Sequence, residues 1–216
     1  MTPIFPLPNV VFFPHTFLPL YIFEPRYRAM IADVLDGDRM IVVVLMRGAR
    51  SPAEEQAVHQ LGCVGRVTVV EDLPDGRYSI VLHGLSRVEI GPLIKSGSGY
   101  CEAHIRLRGE MIPDLQDPEV AESKSSFLLT ARRYGELVLG GDYALDLLSD
   151  GAPYPTIVNR VAGLVQRGVA DKQALLTIDD IEERAARLAG WMTNDVEAHE
   201  AAARFTDRRP ADPRLN

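Results

Sequence analysis

The sequence predicts an α+β protein: about six strands with one embedded helix in the first half, then a bundle of helices. Three observations predict it. Residues 1–112 hold short apolar runs rich in Val, Ile, Phe and Tyr, punctuated by Pro and Gly, which is strand-and-turn chemistry. One segment inside that half, Glu24 to Leu35, changes from strand to helical spacing. Beyond 112 the apolar residues recur every three or four positions.

Taken in order, Ile4 to Phe23 is extended and apolar but broken by Pro6, Pro8, Pro14 and Pro19. Proline has no amide hydrogen to donate, so these positions suit strand starts, bends and edges. Val10 to Phe13 and Thr16 to Phe23 read as short strands that bury Phe12, Phe13, Phe17 and Phe23. Glu24-Pro25 is a helix entry, with proline at the first helical position and a carboxylate near the positive end of the dipole. Tyr27, Met30, Ile31, Val34 and Leu35 then share one helical face, and Gly37 ends the helix. Met40 to Met46 is continuously apolar, a central strand covered on both faces. Arg47 to Gln60 is a polar surface loop. Leu61 to Val70 resumes as a strand with Cys63, Gly65, Val67 and Val69 on one face. The Pro74-Asp75-Gly76 turn joins it to Tyr78 to Ile90, where Gly84 marks a bulge or a close backbone approach. Tyr100 to Arg108 alternates, turning Cys101, Ala103, Ile105 and Leu107 inward and Tyr100, Glu102, His104, Arg106 and Arg108 outward or to an edge.

Residues 113–122 form a linker. Helices follow at 123–139, 142–148, 156–166 with Thr156 as cap, and 171–176. Asp179, with Glu182 three positions on, caps a last long helix whose apolar face is Ile181, Ala185, Leu188, Trp191 and Met192. The expected organisation is a β-rich subdomain over 1–112, a helical subdomain over 123–200 and a disordered tail over 201–216.

Four stretches carry a family resemblance. FPLPNVVFFP from Phe5 and LPLYIFEPRYRAMI from Leu18 are followed by GCVGRVTVVEDLPDGRYSIVLHGLSRVEI from Gly62, which holds the element Gly84-Leu85-Ser86-Arg87. KQALLTIDDIEERAARL begins at Lys172. Together they resemble the N-terminal substrate-binding domain of the Lon proteases over residues 3–200. The resemblance implies a PUA-like pseudo-barrel for the strands and a module that binds polypeptide substrates or a partner protein. Full-length members continue into an ATPase ring and a serine–lysine protease. No G-x-x-x-x-G-K-[ST] or G-x-S-x-G element occurs in this chain. The expectation is therefore a standalone, non-catalytic member without cofactor or metal, delivering substrates to a protease or chaperone in trans. Position 15 departs from the family pattern, with His15 where a small residue, commonly glycine, is usual.

Composition narrows the alternatives. The chain has 216 residues, a net charge of -7 and two cysteines. Two cysteines build no disulfide framework, which points to a reducing, cytoplasmic setting. No apolar run reaches the ~18 residues of a membrane span, and no signal segment opens the chain. An acidic balance disfavours nucleic acid, which needs a concentrated positive footprint. A basic stripe of Arg66, Arg77, Arg87 and Arg106 would revive an RNA-binding reading of the PUA-like fold. The expected state is a monomer or weak dimer.

Candidate chemistry is sparse. His59, Cys63, Cys101 and His104 make a zinc-like set, but residues three apart on a strand face opposite ways, so Cys101 and His104 diverge. Cys63 with His83 would be a nucleophile pair for a small hydrolase, yet Cys63 lies among apolar residues, where thiols are inert. Arg26 and Arg28 beside Glu24 read as fold-fixing or solvated charges, and His15 as an exposed turn residue. What remains is surface recognition of extended polypeptide by apolar area at a sheet edge. The candidate contact residues are Phe12, Phe13, Tyr21 and Tyr100.

Overall fold

The structure, a computed structural model, describes residues 1–48, 57–140 and 151–207. Most of the anticipated 47–60 loop, the 142–148 helix and the tail from 208 lie outside the described residues. The chain divides into two units, residues 1–111 with 158–179, and residues 112–157 with 180–216.

Among the described residues the first unit is built on one mixed sheet of eight strands, two more than the sequence suggests. They are β1 (Thr2–Leu7), β2 (Phe17–Ile22), β3 (Met40–Leu45), β4 (Leu61–Asp72), β5 (Tyr78–Ile90), β6 (Ile94–Lys95), β7 (Cys101–Ala103) and β8 (Ile105–Arg108). Their order is β2-β5-β4-β3-β1-β7-β6, with β8 pairing β5 beyond the end of β2. The path is open rather than a closed barrel, since β2 and β6 end it without pairing to each other. β1 and β3 are parallel. Parallel neighbours need a crossover, and α1 (Pro25–Leu35) lies within it, which is why one helix is embedded among the strands.

α1 begins as anticipated. Pro25 takes the first turn, and Glu24 accepts from Arg26 at 2.9 Å from Nη2. Tyr27, Met30, Ile31 and Val34 are buried and pack with Phe5, Ile41, Val43, Cys63, Ile80 and Leu82 on one face of the sheet. Each such burial contributes about 1.5–3 kcal/mol. Phe5 meets Tyr27 edge-on at 4.6 Å between centroids. β3 is buried along nearly its whole length, as its unbroken apolar run requires. On the opposite face Ile4, Val42, Val44, Val64, Val88 and Ile90 form a second cluster.

Two helices complete this unit. α3 (Tyr154–Leu164) enters it at Val158, and α4 is Val169–Thr177. The Lys172-Gln173 pair has a physical role here. Lys172 Nζ donates to the Gly163 carbonyl at the end of α3 at 2.7 Å, and Gln173 Nε2 donates to the Leu61 carbonyl of β4 at 3.0 Å. Leu175 and Leu176 are buried behind them.

Several elements depart from expectation. Val10 to Phe13 is not a strand; it is a bend that buries Phe12 and Phe13. A register shift between Val67 and Val69 turns Val69 outward although Val67 is core. The Tyr100–Arg108 alternation breaks at His104, leaving Leu107 exposed while Tyr100 is buried. The last helix is capped by Asp180, whose Oδ1 accepts from Glu182 N at 2.8 Å, because Asp179 is engaged elsewhere.

The second unit holds α2 (Pro118–Tyr134), which starts inside the anticipated linker with Asp117 accepting from Glu119 N at 2.9 Å. It continues as a wider π-helical segment, Gly135–Gly140. α5 (Ile181–Asp207) buries Ile181, Ala185, Leu188, Met192 and Val196 at helical spacing. It runs seven residues past 200, as the helix formers Ala201 to Ala203 favour, where the sequence suggests a disordered tail. Phe127 meets Tyr154 edge-on at 5.9 Å, and Arg133 pairs with Glu200. Among the described residues no helix is long and apolar enough to cross a membrane.

His15 adopts a left-handed backbone with φ of 61°. A side chain there costs about 1–2 kcal/mol, which glycine avoids at some expense in unfolded-state entropy. His15→Gly is expected to stabilise the protein by about 0.5 kcal/mol in urea unfolding. His15→Val, β-branched and intolerant of positive φ, is expected to destabilise it by more than about 1 kcal/mol.

Candidate functional site

Strand β2 ends the sheet and is apolar on both faces. Leu18, Leu20 and Ile22 pack on the core, whereas Phe17, Tyr21 and the following Phe23 are 64%, 48% and 60% exposed. The ladder explains Pro19. Gly84 N donates to the Thr16 carbonyl at 2.9 Å, and partners alternate from there. Leu18, Leu20 and Ile22 therefore exchange hydrogen bonds with β5. Pro19 falls where an amide would point to the open edge, so its missing donor costs nothing.

Register extends this strip across three strands. Phe17 lies opposite His83 and Arg66, and the Phe17 and His83 rings stack at 4.8 Å. Pro19 lies opposite Val81 and Val69. Tyr21 lies opposite Ser79 and Glu71. Arg77 sits 5.1 Å above the Tyr21 ring while paired with Asp75, and Tyr21 stacks toward Phe23 at 6.3 Å. The result is an apolar, aromatic floor on the outer sheet face with charges at its ends. Where Tyr21 and Phe23 turn the corner, a cleft of about 240 Å³ opens between Pro6, Pro8, Leu20, Ile22 and Tyr27. Contiguous exposed apolar area of this kind marks interaction surfaces.

The four sequence candidates do not converge. Tyr21 lies in this strip. Phe12 and Phe13 are core: Phe12 fills the space beside Gly65 and Gly84. Tyr100 is also core, its hydroxyl donating to Asp33 on α1 at 2.9 Å. These three side chains are buried and do not line the exposed strip. The exposure of Phe17, Phe23 and Val69 is not what the sequence reading expects. A signal for Phe17 and Phe23 is the proline inside a run apolar on both faces: it marks a sheet edge, where the covering layer can end and leave one face open.

The other candidate groups are buried or paired. Burial pushes the Cys63 thiol far above its usual value and keeps it protonated. Desolvation likewise lowers His15. Arg87 is fully buried and donates to the carbonyls of Leu176 and Ile178 at 3.0 Å and to that of Gly109. Its Nη1 lies 2.9 Å from Asp179 Oδ1, and Arg108 grips the same carboxylate at 2.8 and 2.7 Å. With Arg87 buried, Arg77 paired to Asp75 and Arg106 paired to Glu89, the four arginines form no free basic stripe. Among the described residues no three His, Cys, Asp or Glu side chains gather to hold a metal ion.

The family model for the ATP-dependent protease La (LON) substrate-binding domain matches residues 1–194. A Lon protease of Parabacteroides distasonis is 28% identical over 93% of this chain, and one of Escherichia coli K12 is 25% identical over 95%. The chain spans 24% and 26% of their respective lengths. The fold matches a crystal structure of a Lon N-terminal domain protein from Xanthomonas campestris, with TM-score 0.61 and 21% identity over 88% of this chain and 98% of the other. It also matches the N-terminal domain of a Mycobacterium avium complex Lon protease, with TM-score 0.63 and 19% identity over 89% and 97%. With the family model matching nearly the whole chain, the chain belongs to the Lon substrate-binding domain family.

Proposed function

We propose that this protein binds extended apolar segments of other polypeptides on the β2–β5–β4 outer face and the adjoining cleft, without chemistry of its own, and passes them to a protease or chaperone acting in trans. The observation that carries the reading is the row of exposed aromatics Phe17, Tyr21 and Phe23 on an edge strand. Aromatic side chains give large contact area at little entropic cost and dominate binding surfaces. Family membership supports polypeptide as the ligand.

The test is fluorescence anisotropy with a labelled, permanently unfolded model protein. Phe17→Ser, Tyr21→Ser and Phe23→Ser combined are expected to weaken binding by at least about a hundredfold, since buried aromatic anchors each contribute about 2 kcal/mol. All three side chains are exposed, so far-UV circular dichroism and the unfolding midpoint should hold. Undiminished binding by the folded triple variant would refute the site. Wild-type binding should weaken little with added salt, because apolar contact dominates.

A further inference from the structure

The aromatic floor has opposite charges at its two ends. Arg66 stands beside the Phe17–His83 stack, exposed and without an ion pair among the described residues. At the Tyr21 end stands Glu71, also exposed and without an ion pair among the described residues. Arg77 and Asp75 at that end neutralise each other. Arg66 and Glu71 lie five positions apart on β4, roughly 15 Å. Between them the surface offers Phe17, Pro19, Val81, Val69 and Tyr21.

We propose that the preferred occupant, given the polypeptide-binding reading above, is an extended segment of about five apolar or aromatic residues flanked by an acidic side chain at one end and a basic one at the other. The carboxylate meets Arg66 and the cation meets Glu71. Charge complementarity selects this occupant over a uniformly acidic or basic segment, since either of those sets like charges together at one end. Pro19 shapes the mode of contact. It removes the central outward donor from the β2 edge, so the segment lies across the side chains of the sheet face instead of adding as a full strand. The same alternation of charge is self-complementary, so a second copy of this chain is the rival occupant.

The experiment compares three labelled peptides sharing one five-residue aromatic–aliphatic core, flanked by one acid and one base, by two acids, or by two bases. Wild type is expected to bind the mixed peptide about two- to fivefold more tightly than either other, the scale of exposed ion pairs. Arg66→Glu should shift the preference to the dibasic peptide, and Glu71→Lys to the diacidic one. The preference should vanish in 1 M salt while binding of the shared core persists. Equal binding of the three peptides by wild type and both variants would overturn the charge assignment and leave the polypeptide reading standing. Failure of every peptide to bind would count against that reading as well. A doubled mass in light scattering that Phe17→Ser abolishes, with no peptide competing for it, would give the face to a second copy and overturn the proposal.

Discussion

Arg87→Ala is expected to destabilise the protein by about 3–5 kcal/mol, the scale for breaking a buried pair by removing one partner. The guanidinium is fully buried and joins three separate pieces of chain: β5, the Gly109–Glu110 exit of β8, and the end of α4. Its loss leaves the carbonyls of Leu176, Ile178 and Gly109 without their donor and the Asp179 and Glu110 carboxylates short of a counter-charge. Unfilled space adds to the cost. Arg87→Lys keeps the charge but not the fork, and one ammonium cannot reach three carbonyls and a carboxylate, so it should recover only part of the loss. Urea unfolding followed by circular dichroism decides this. An Arg87→Ala midpoint equal to wild type would mean that the cluster fastens nothing.

The same cluster sets an acid limit. The hydrogen bond from Arg108, and then that from Arg87, outweigh desolvation and hold the Asp179 carboxyl down at about 2. A depressed acid favours the folded state in its ionised form. Its contribution is therefore complete above the unfolded-state value near ~3.9 and disappears as pH falls through about 2. Asp179→Asn should be less stable than wild type at neutral pH, and the gap should close across that acid window.

Local chemistry was legible in the sequence and long-range partnership was not. Glu24-Pro25 announces α1 because a helix start is decided by its own few residues, and the face of Tyr27, Met30, Ile31 and Val34 follows from helical spacing alone. Arg87 was visible as part of a Gly-x-x-Arg element, but its partners lie about twenty and ninety residues downstream, where no spacing rule reaches. The exposure of Phe17 and Phe23 was illegible for a related reason. Both faces of β2 are apolar, and which one is covered depends on where α1 packs. Tyr100 went wrong the other way: alternation placed it outside, yet its hydroxyl finds Asp33 from a distant element and the ring is buried. Val69 was misplaced because a register shift reverses the side-chain parity that alternation assumes.

Gly84 was legible as a close approach, and its substitution is the second large effect. A Cβ on Gly84 would stand 2.3 Å from the Phe13 carbonyl oxygen and 3.2 Å from Phe12 Cζ. The first contact is backbone, and that backbone is fixed. His15 N donates to the Gly84 carbonyl at 2.8 Å, Gly84 N donates to the Thr16 carbonyl at 2.9 Å, and Thr16 Oγ1 closes the bend on the Phe13 carbonyl at 2.7 Å. Gly84→Ala must therefore push the whole 13–16 bend away from β5, at a cost of about 2–3 kcal/mol. The displacement also carries the start of β2, where Phe17 stacks on His83. Gly84→Ala should thus lower both the unfolding midpoint and the affinity for an unfolded polypeptide, with the affinity loss persisting at temperatures where the variant is fully folded. Gly97→Ala is the control: its Cβ meets nothing within 4 Å, so stability should stay within about 0.5 kcal/mol of wild type and binding should not change. Gly84→Ala with full stability but lost binding would make the glycine a ligand contact. Lost stability with unchanged binding in the folded protein would detach the aromatic strip from the bend that anchors it, and the binding face would have to lie elsewhere on the sheet.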